Sequence, residues 1–136
     1  MTTEKIPSLS IISAVLCDDV RAEDNGKELL IGVYSGTITV HVIPSPPLPL
    51  RCWINMKIEG PHATRLQFRA IDHNSEEMYR SQTDTKTDDD VGEGSIVLGP
   101  ILFSLKDPEG YLKIEYKEEG GDWINVIAKK TKYQRR

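Results

Sequence analysis

The sequence predicts an all-β protein: an antiparallel β-sandwich of immunoglobulin-like or C2-like type, with about eight or nine strands and essentially no helix. Three observations carry this expectation. Short apolar or alternating segments recur along the whole chain, and clusters of Gly, Pro, Asn and Asp separate them. No window of about twelve residues holds a 3.6-residue apolar stripe without Gly or Pro breaking it. At 136 residues the chain has the size of one ordinary domain, long enough to bury a core without metal or disulfide support. A small barrel fits the same pattern and stays open as the alternative.

Taken in order, residues 8–17 are rich in strand formers and apolar on both faces, which predicts a central strand covered on both sides. Asp24-Asn25-Gly26-Lys27 reads as a turn, with Gly26 free to take positive φ. Residues 28–34 and 37–43 read as two strands around Ser35-Gly36. In the second of these, Ile38, Val40 and Val42 alternate with Thr37, Thr39 and His41. Pro44, Pro46, Pro47 and Pro49 then rule out a central strand and predict an extended crossing between sheets. Residues 50–59 alternate again, with Leu50, Cys52, Ile54, Met56 and Ile58 on one face, and Gly60-Pro61 closes the run. Residues 65–72 place Leu66, Phe68 and Ala70 inward, and after the turn at His73-Asn74-Ser75, residues 77–82 form the hairpin partner.

Residues 83–94 show no periodicity and read as an exposed loop. Residues 96–105 form an apolar strand interrupted by Gly99-Pro100, a bulge or kink signal. After a turn at Asp107-Pro108-Glu109-Gly110, a final hairpin sets Leu112, Ile114 and Tyr116 against Ile124, Val126 and Ala128. No repeat or linker divides the chain. The expected organisation is one domain over residues 1–128, followed by a basic C-terminal tail over residues 129–136.

Charge narrows the function classes. The net charge of -4 argues against general nucleic-acid binding. That total hides an asymmetry. Lys129, Lys130, Lys132, Arg135 and Arg136 supply five positive charges and no negative ones, while residues 72–93 hold eight acidic and two basic side chains. Such a molecule is suited to head-to-tail association or to presenting two distinct faces. The apolar run from Leu9 to Cys17 has the acidic Glu4 upstream beside Lys5, and reads as a buried strand rather than a signal peptide. No run approaches the ~20 residues of a membrane span. Cys17 and Cys52 each lie in an apolar run, as free, buried thiols do. The expected location is cytoplasmic.

One stretch carries a family resemblance. Ala14-Val15-Leu16-Cys17-Asp18-Asp19-Val20-Arg21, then Asn25-Gly26-Lys27, then Leu30-Ile31-Gly32-Val33-Tyr34, resembles a bacterial domain-of-unknown-function family with a CDD(V/I)R, NGK, (L/I)IGVY order. The resemblance implies a small all-β domain from a bacterium or its phage, and no activity or catalytic residue. Within the motif, Arg21 is placed to pair with Asp18, Asp19 or Glu23, and Gly32 to allow close approach of strands.

Four features are candidates for binding. Asp84, Asp88, Asp89, Asp90 and Glu93 crowd into ten residues, as calcium-binding loops at the end of a C2-like sandwich do; without an EF-hand pattern, a solvated loop is the simpler reading. Pro44 to Pro49 contains two overlapping P-x-x-P patterns, with Pro46 and Pro49 as candidate contacts, although a crossing explains the prolines equally. Trp53 and Trp123 fall opposite the most apolar positions. Exposed, with Tyr79 or Tyr111 nearby, they would make an aromatic platform for a sugar or a protein; packed, they are ordinary strand residues. Lys129 and Lys130 begin the basic tail, a candidate for phosphate, anionic membrane or acidic partners. No zinc spacing, nucleophile elbow, P-loop or dinucleotide motif is present. The chain therefore reads as a non-enzymatic protein–protein interaction or assembly module. Its expected partner is another protein or a second copy, with no cofactor, specific nucleic acid or small-molecule substrate. A calcium-dependent C2-like ligand or membrane binder is the alternative.

Overall fold

The computed structural model describes residues 8–59, 62–87 and 91–136, and among them every regular element is a strand. Ten strands run in the order β1 (Ser8–Cys17), β2 (Asp19–Ala22), β3 (Glu28–Ile31), β4 (Ile38–Val40), β5 (Leu48–Glu59), β6 (His62–Asp72), β7 (Glu77–Thr87), β8 (Val91–Phe103), β9 (Glu109–Glu118) and β10 (Ile124–Tyr133). They build a β-sandwich from a three-stranded sheet, β1-β5-β8, and a five-stranded sheet, β4-β10-β9-β6-β7; β2 and β3 form a separate hairpin. Pairing is antiparallel except where Ile38–Val40 runs parallel to Thr131–Tyr133.

Strict alternation decides what faces the core. Leu50, Cys52, Ile54 and Met56 on β5 pack with Leu66, Phe68 and Ala70 on β6 and Leu112, Ile114 and Tyr116 on β9, as the period-two pattern requires. Ile38 and Val40 close the core from β4, whereas Val42 lies beyond that strand and is exposed. Both cysteines are free and buried, and Cys52 belongs to this core.

The expectations fail where regular alternation does. The run at 8–17 is an edge strand, not a central one, since among the described residues only β5 pairs with it in the sheet. Its two-faced hydrophobicity comes from a bulge: the register shifts between Ile11 and Ser13. Leu9 and Ile11 pack inward before it and Ala14 and Leu16 after it, so Ile12 is the extra residue and turns outward. Residues 83–94 are not a loop as a whole. Thr83, Asp84 and Thr85 continue β7 opposite Leu66, Arg65 and Thr64, and Gly92 to Ser95 open β8 opposite Ile58 to Asn55. Threonines and glycines take positions where alternation leads one to expect apolar side chains, which hides both strands. The bulge signal at Gly99-Pro100 does mark a register shift, between Leu50 and Cys52 of β5. Ile124 faces Tyr116 as expected, but a further bulge, at Val126, moves Ile127 opposite Ile114 and Lys129 opposite Leu112, so Val126 and Ala128 are offset from their expected partners.

The C-terminal residues are not a detached tail. Lys129 to Tyr133 complete β10, paired with β9 on one side and, from Thr131, with β4 on the other. Tyr133 N donates to Pro108 O (2.8 Å) and Gln134 N to Val40 O (2.9 Å). The expected boundary at 128/129 thus falls inside a strand.

Candidate functional site

The most developed polar site lies at the end of the sandwich where β6 stops. Asp72, its last residue, is buried, and its Oδ1 accepts from Asn74 N (2.8 Å) and Glu76 N (2.9 Å). Ser75 N donates to Asp72 O (3.0 Å) and takes a left-handed φ of 61°, which closes the turn into β7. This rigid turn presents His73. Its Nε2 meets Asp107 Oδ2 at 2.6 Å, and Asn74 Nδ2 donates to the same oxygen at 3.2 Å. Hydrogen bonds from His73 and then Asn74 hold the Asp107 carboxyl below its ordinary value. The Asp107 carboxylate therefore accepts the Nε2 proton, fixing the ring.

Two neighbours shape the imidazole's surroundings. The Tyr111 ring meets it edge-on at 6.2 Å. Gly110 lies directly against it, and a methyl group there would collide with the ring. Across the β9–β10 ladder, Gly110 faces Thr131 and Tyr111 faces Lys130. Thr37, His73, Glu109, Gly110, Tyr111, Lys130, Thr131 and Lys132 line a concavity of about 500 Å³ here.

The sequence-predicted candidates are dispersed. Asp84 is paired with Arg65 (3.0 Å), and Glu93 accepts from Asn55 Nδ2 (3.1 Å). Asp88, Asp89 and Asp90 lie outside the described residues. Among the described residues no three metal-ligating side chains come together. Asp72 terminates β6 opposite Leu112, far along the strand from Arg65 and its partner Asp84. Asp18 and Asp19 follow the β1 end that pairs with Arg51, at the other end of β5 from Gly92.

The two tryptophans belong to different parts of the sandwich and make no common platform: Trp53 is on the three-stranded sheet, and Trp123 lies beside cations of the five-stranded sheet. Trp53 faces outward on β5 between Val15 and Val97, and its Nε1 donates to Glu28 Oε1 (3.1 Å), which also accepts from Ser95 Oγ. That contact fastens the β2–β3 hairpin over the three-stranded sheet, together with Arg51 near Asp19 (3.6 Å). Trp123 precedes β10 and is ringed by cations: Arg69 stands 4.1 Å, Lys117 5.0 Å and Arg80 5.4 Å from its ring. Tyr79 packs on the core instead. Pro46 lines a small apolar groove with Val40, Val42 and Leu48, and Pro49 is already in β5 opposite Leu102. Lys129 is half-buried opposite Leu112, while Lys130 is exposed.

In the Cys17–Asp18–Asp19 motif, Asp18 Oδ1 accepts from Tyr34 Oη (2.8 Å), Asp19 pairs with Arg21 (3.3 Å), and Gly32 at φ 68° leaves room for the Asp18 side chain. Its residues thus tie the hairpin to the sandwich. Burial pushes the Cys52 thiol up to about 12 and, with Asp18 nearby, raises Cys17 as well.

No protein-family model and no curated protein matches the chain. No helix among the described residues is long and apolar enough to cross a membrane. The His73–Asp107 pair escaped sequence reasoning because 34 residues separate its members. The only available signal was two polar turns, around residues 73 and 107, each unremarkable alone.

Proposed function

We propose that this chain is a non-enzymatic β-sandwich module of bacterial or phage origin that works by contact with another protein. The observation that carries the reading is a pair of incompletely used strand edges on one side of the molecule. β1 has β5 on one side only, and β4 covers β10 only at Thr131–Tyr133, leaving Ile124 to Lys130 without an outer partner among the described residues. The two strands approach each other, and each carries an isoleucine that is 50% exposed, Ile12 and Ile124. Free backbone donors and acceptors beside exposed apolar side chains suit the addition of a partner strand. The CDDVR, NGK and LIGVY resemblance supports the bacterial origin.

The test uses the full chain and Ile12→Lys as paired baits in the source organism. Because Ile12 is an exposed bulge residue, the substitution should change stability by no more than about 0.5 kcal/mol. The expected result is a partner that co-purifies stoichiometrically with the wild type and is lost with the variant. A partner retained by Ile12→Lys, or no partner and a strictly monomeric chain under several conditions, would overturn the reading.

A further inference from the structure

We propose that the concavity beside His73 is a binding site for a small oxyanion of the carboxylate or phosphate class. Among the described residues, two buried side-chain polar atoms have no hydrogen-bond partner: His73 Nδ1 and Thr131 Oγ1. Both residues line the same concavity. Thr131 is only 2% exposed, so solvent does not readily satisfy its hydroxyl. Each unsatisfied buried group costs about 1–3 kcal/mol, and folded proteins leave few of them. Two in one cavity point to a shared partner from outside the chain.

The space and its chemistry define that partner. About 500 Å³ is the volume of a small-molecule site and far exceeds one water. Asp107 occupies Nε2, so Nδ1 is the ring nitrogen left for a ligand oxygen. The Thr131 hydroxyl, on β10, is a second unpartnered group in the lining of the same space, able to donate. Lys130 and Lys132 flank it in sequence and have no anionic partner within salt-bridge distance among the described residues. The one acid in the lining, Glu109, stands opposite Lys132 in the ladder. Lys130 and Lys132 against Glu109 leave the lining with one positive charge in excess, which favours a single oxyanion group. Gly110 keeps the ring in place because any side chain there would displace it.

The inference is independent of the edge-strand reading and is tested on the full chain. The ring resonances of His73 are followed by NMR during titration with inorganic phosphate, with acetate, and with chloride at matched ionic strength. The expected result is a saturable shift with phosphate or acetate at about 10 mM or below, with none from chloride. The stronger of the two arms assigns the anion class. Thr131→Val should weaken binding by at least about tenfold while leaving the melting temperature unchanged or raised, because it removes an unsatisfied hydroxyl. Lys130→Gln combined with Lys132→Gln should weaken binding similarly, and Thr131→Ser should retain it. An equal response to chloride, no saturable shift, or unchanged affinity in Thr131→Val would overturn the proposal. A Thr131→Val variant that loses stability but keeps its affinity would do so too.

Discussion

Replacing Ser45 by alanine removes one oxygen from the middle of the proline-rich crossing, and the structure sets the cost. Ser45 Oγ accepts from Leu105 N at 2.7 Å, and both residues are buried. Alanine fits the space but leaves the Leu105 N–H without a partner, at a cost of about 1–3 kcal/mol. The crossing stays attached through Ser45 N to Leu105 O (2.8 Å) and Ser104 Oγ to Ser45 O (2.6 Å), which caps the loss at that range. With an unfolding entropy of about 2.1 cal/mol/K per residue, a chain of this length loses roughly 3–10 °C in Tm. Scanning calorimetry of wild type and Ser45→Ala measures this, with Ser35→Ala, at an exposed position, as the control expected to change little. A Ser45→Ala melt within about 1 °C of wild type would show that the buried serine does not anchor the crossing, and the argument from its hydrogen bonds would be wrong.

Two further outcomes follow from the titrating groups. Because the Cys52 thiol is pushed up to about 12, its labelling by a thiol-specific disulfide reagent at pH 8 should be about a thousandfold slower in the folded chain than in urea; comparable rates in the two states would refute the burial. Asp107 has a folded pKa below its unfolded value, so its contribution is fully present above the ordinary carboxylate range and is lost as pH falls through the depressed folded value. Asp107→Asn should therefore lower Tm at neutral pH and converge with wild type in strong acid, whereas a pH-independent difference would contradict the His73 and Asn74 hydrogen bonds as its source.

How far the sequence could be read depends on regular alternation. Where apolar and polar residues alternate without interruption, as from Leu50 to Met56 and Leu66 to Ala70, the strand, its inward face and its core residues are all legible. Where a bulge inserts one residue, at Ile12 or Val126, every later side chain changes face, and the pattern imitates a doubly buried strand or a wrong cross-strand pair. Where Thr and Gly hold the strand positions, as in residues 83–87 and 92–95, the ladder supplies what hydropathy does not. The strand Asp19–Ala22 is not legible for a related reason: four residues are too few for a period, and only pairing with Glu28–Ile31 makes them a strand.

The sequence by itself determined that this protein is all-β, that its core comes from alternating strands, and that its cysteines are buried. Those properties depend on which residues avoid water, a quantity each local pattern records. The tertiary structure alone decided that β1 is an edge among the described residues, that Trp53 and Trp123 stand apart, and that the basic C-terminal residues complete a ladder. It also decided that His73, Asp107 and Thr131 meet at one end of the sandwich. Those facts are set by strand order and register across long sequence separations. The free energy that selects them is shared among pairs of strands, so no single segment carries it.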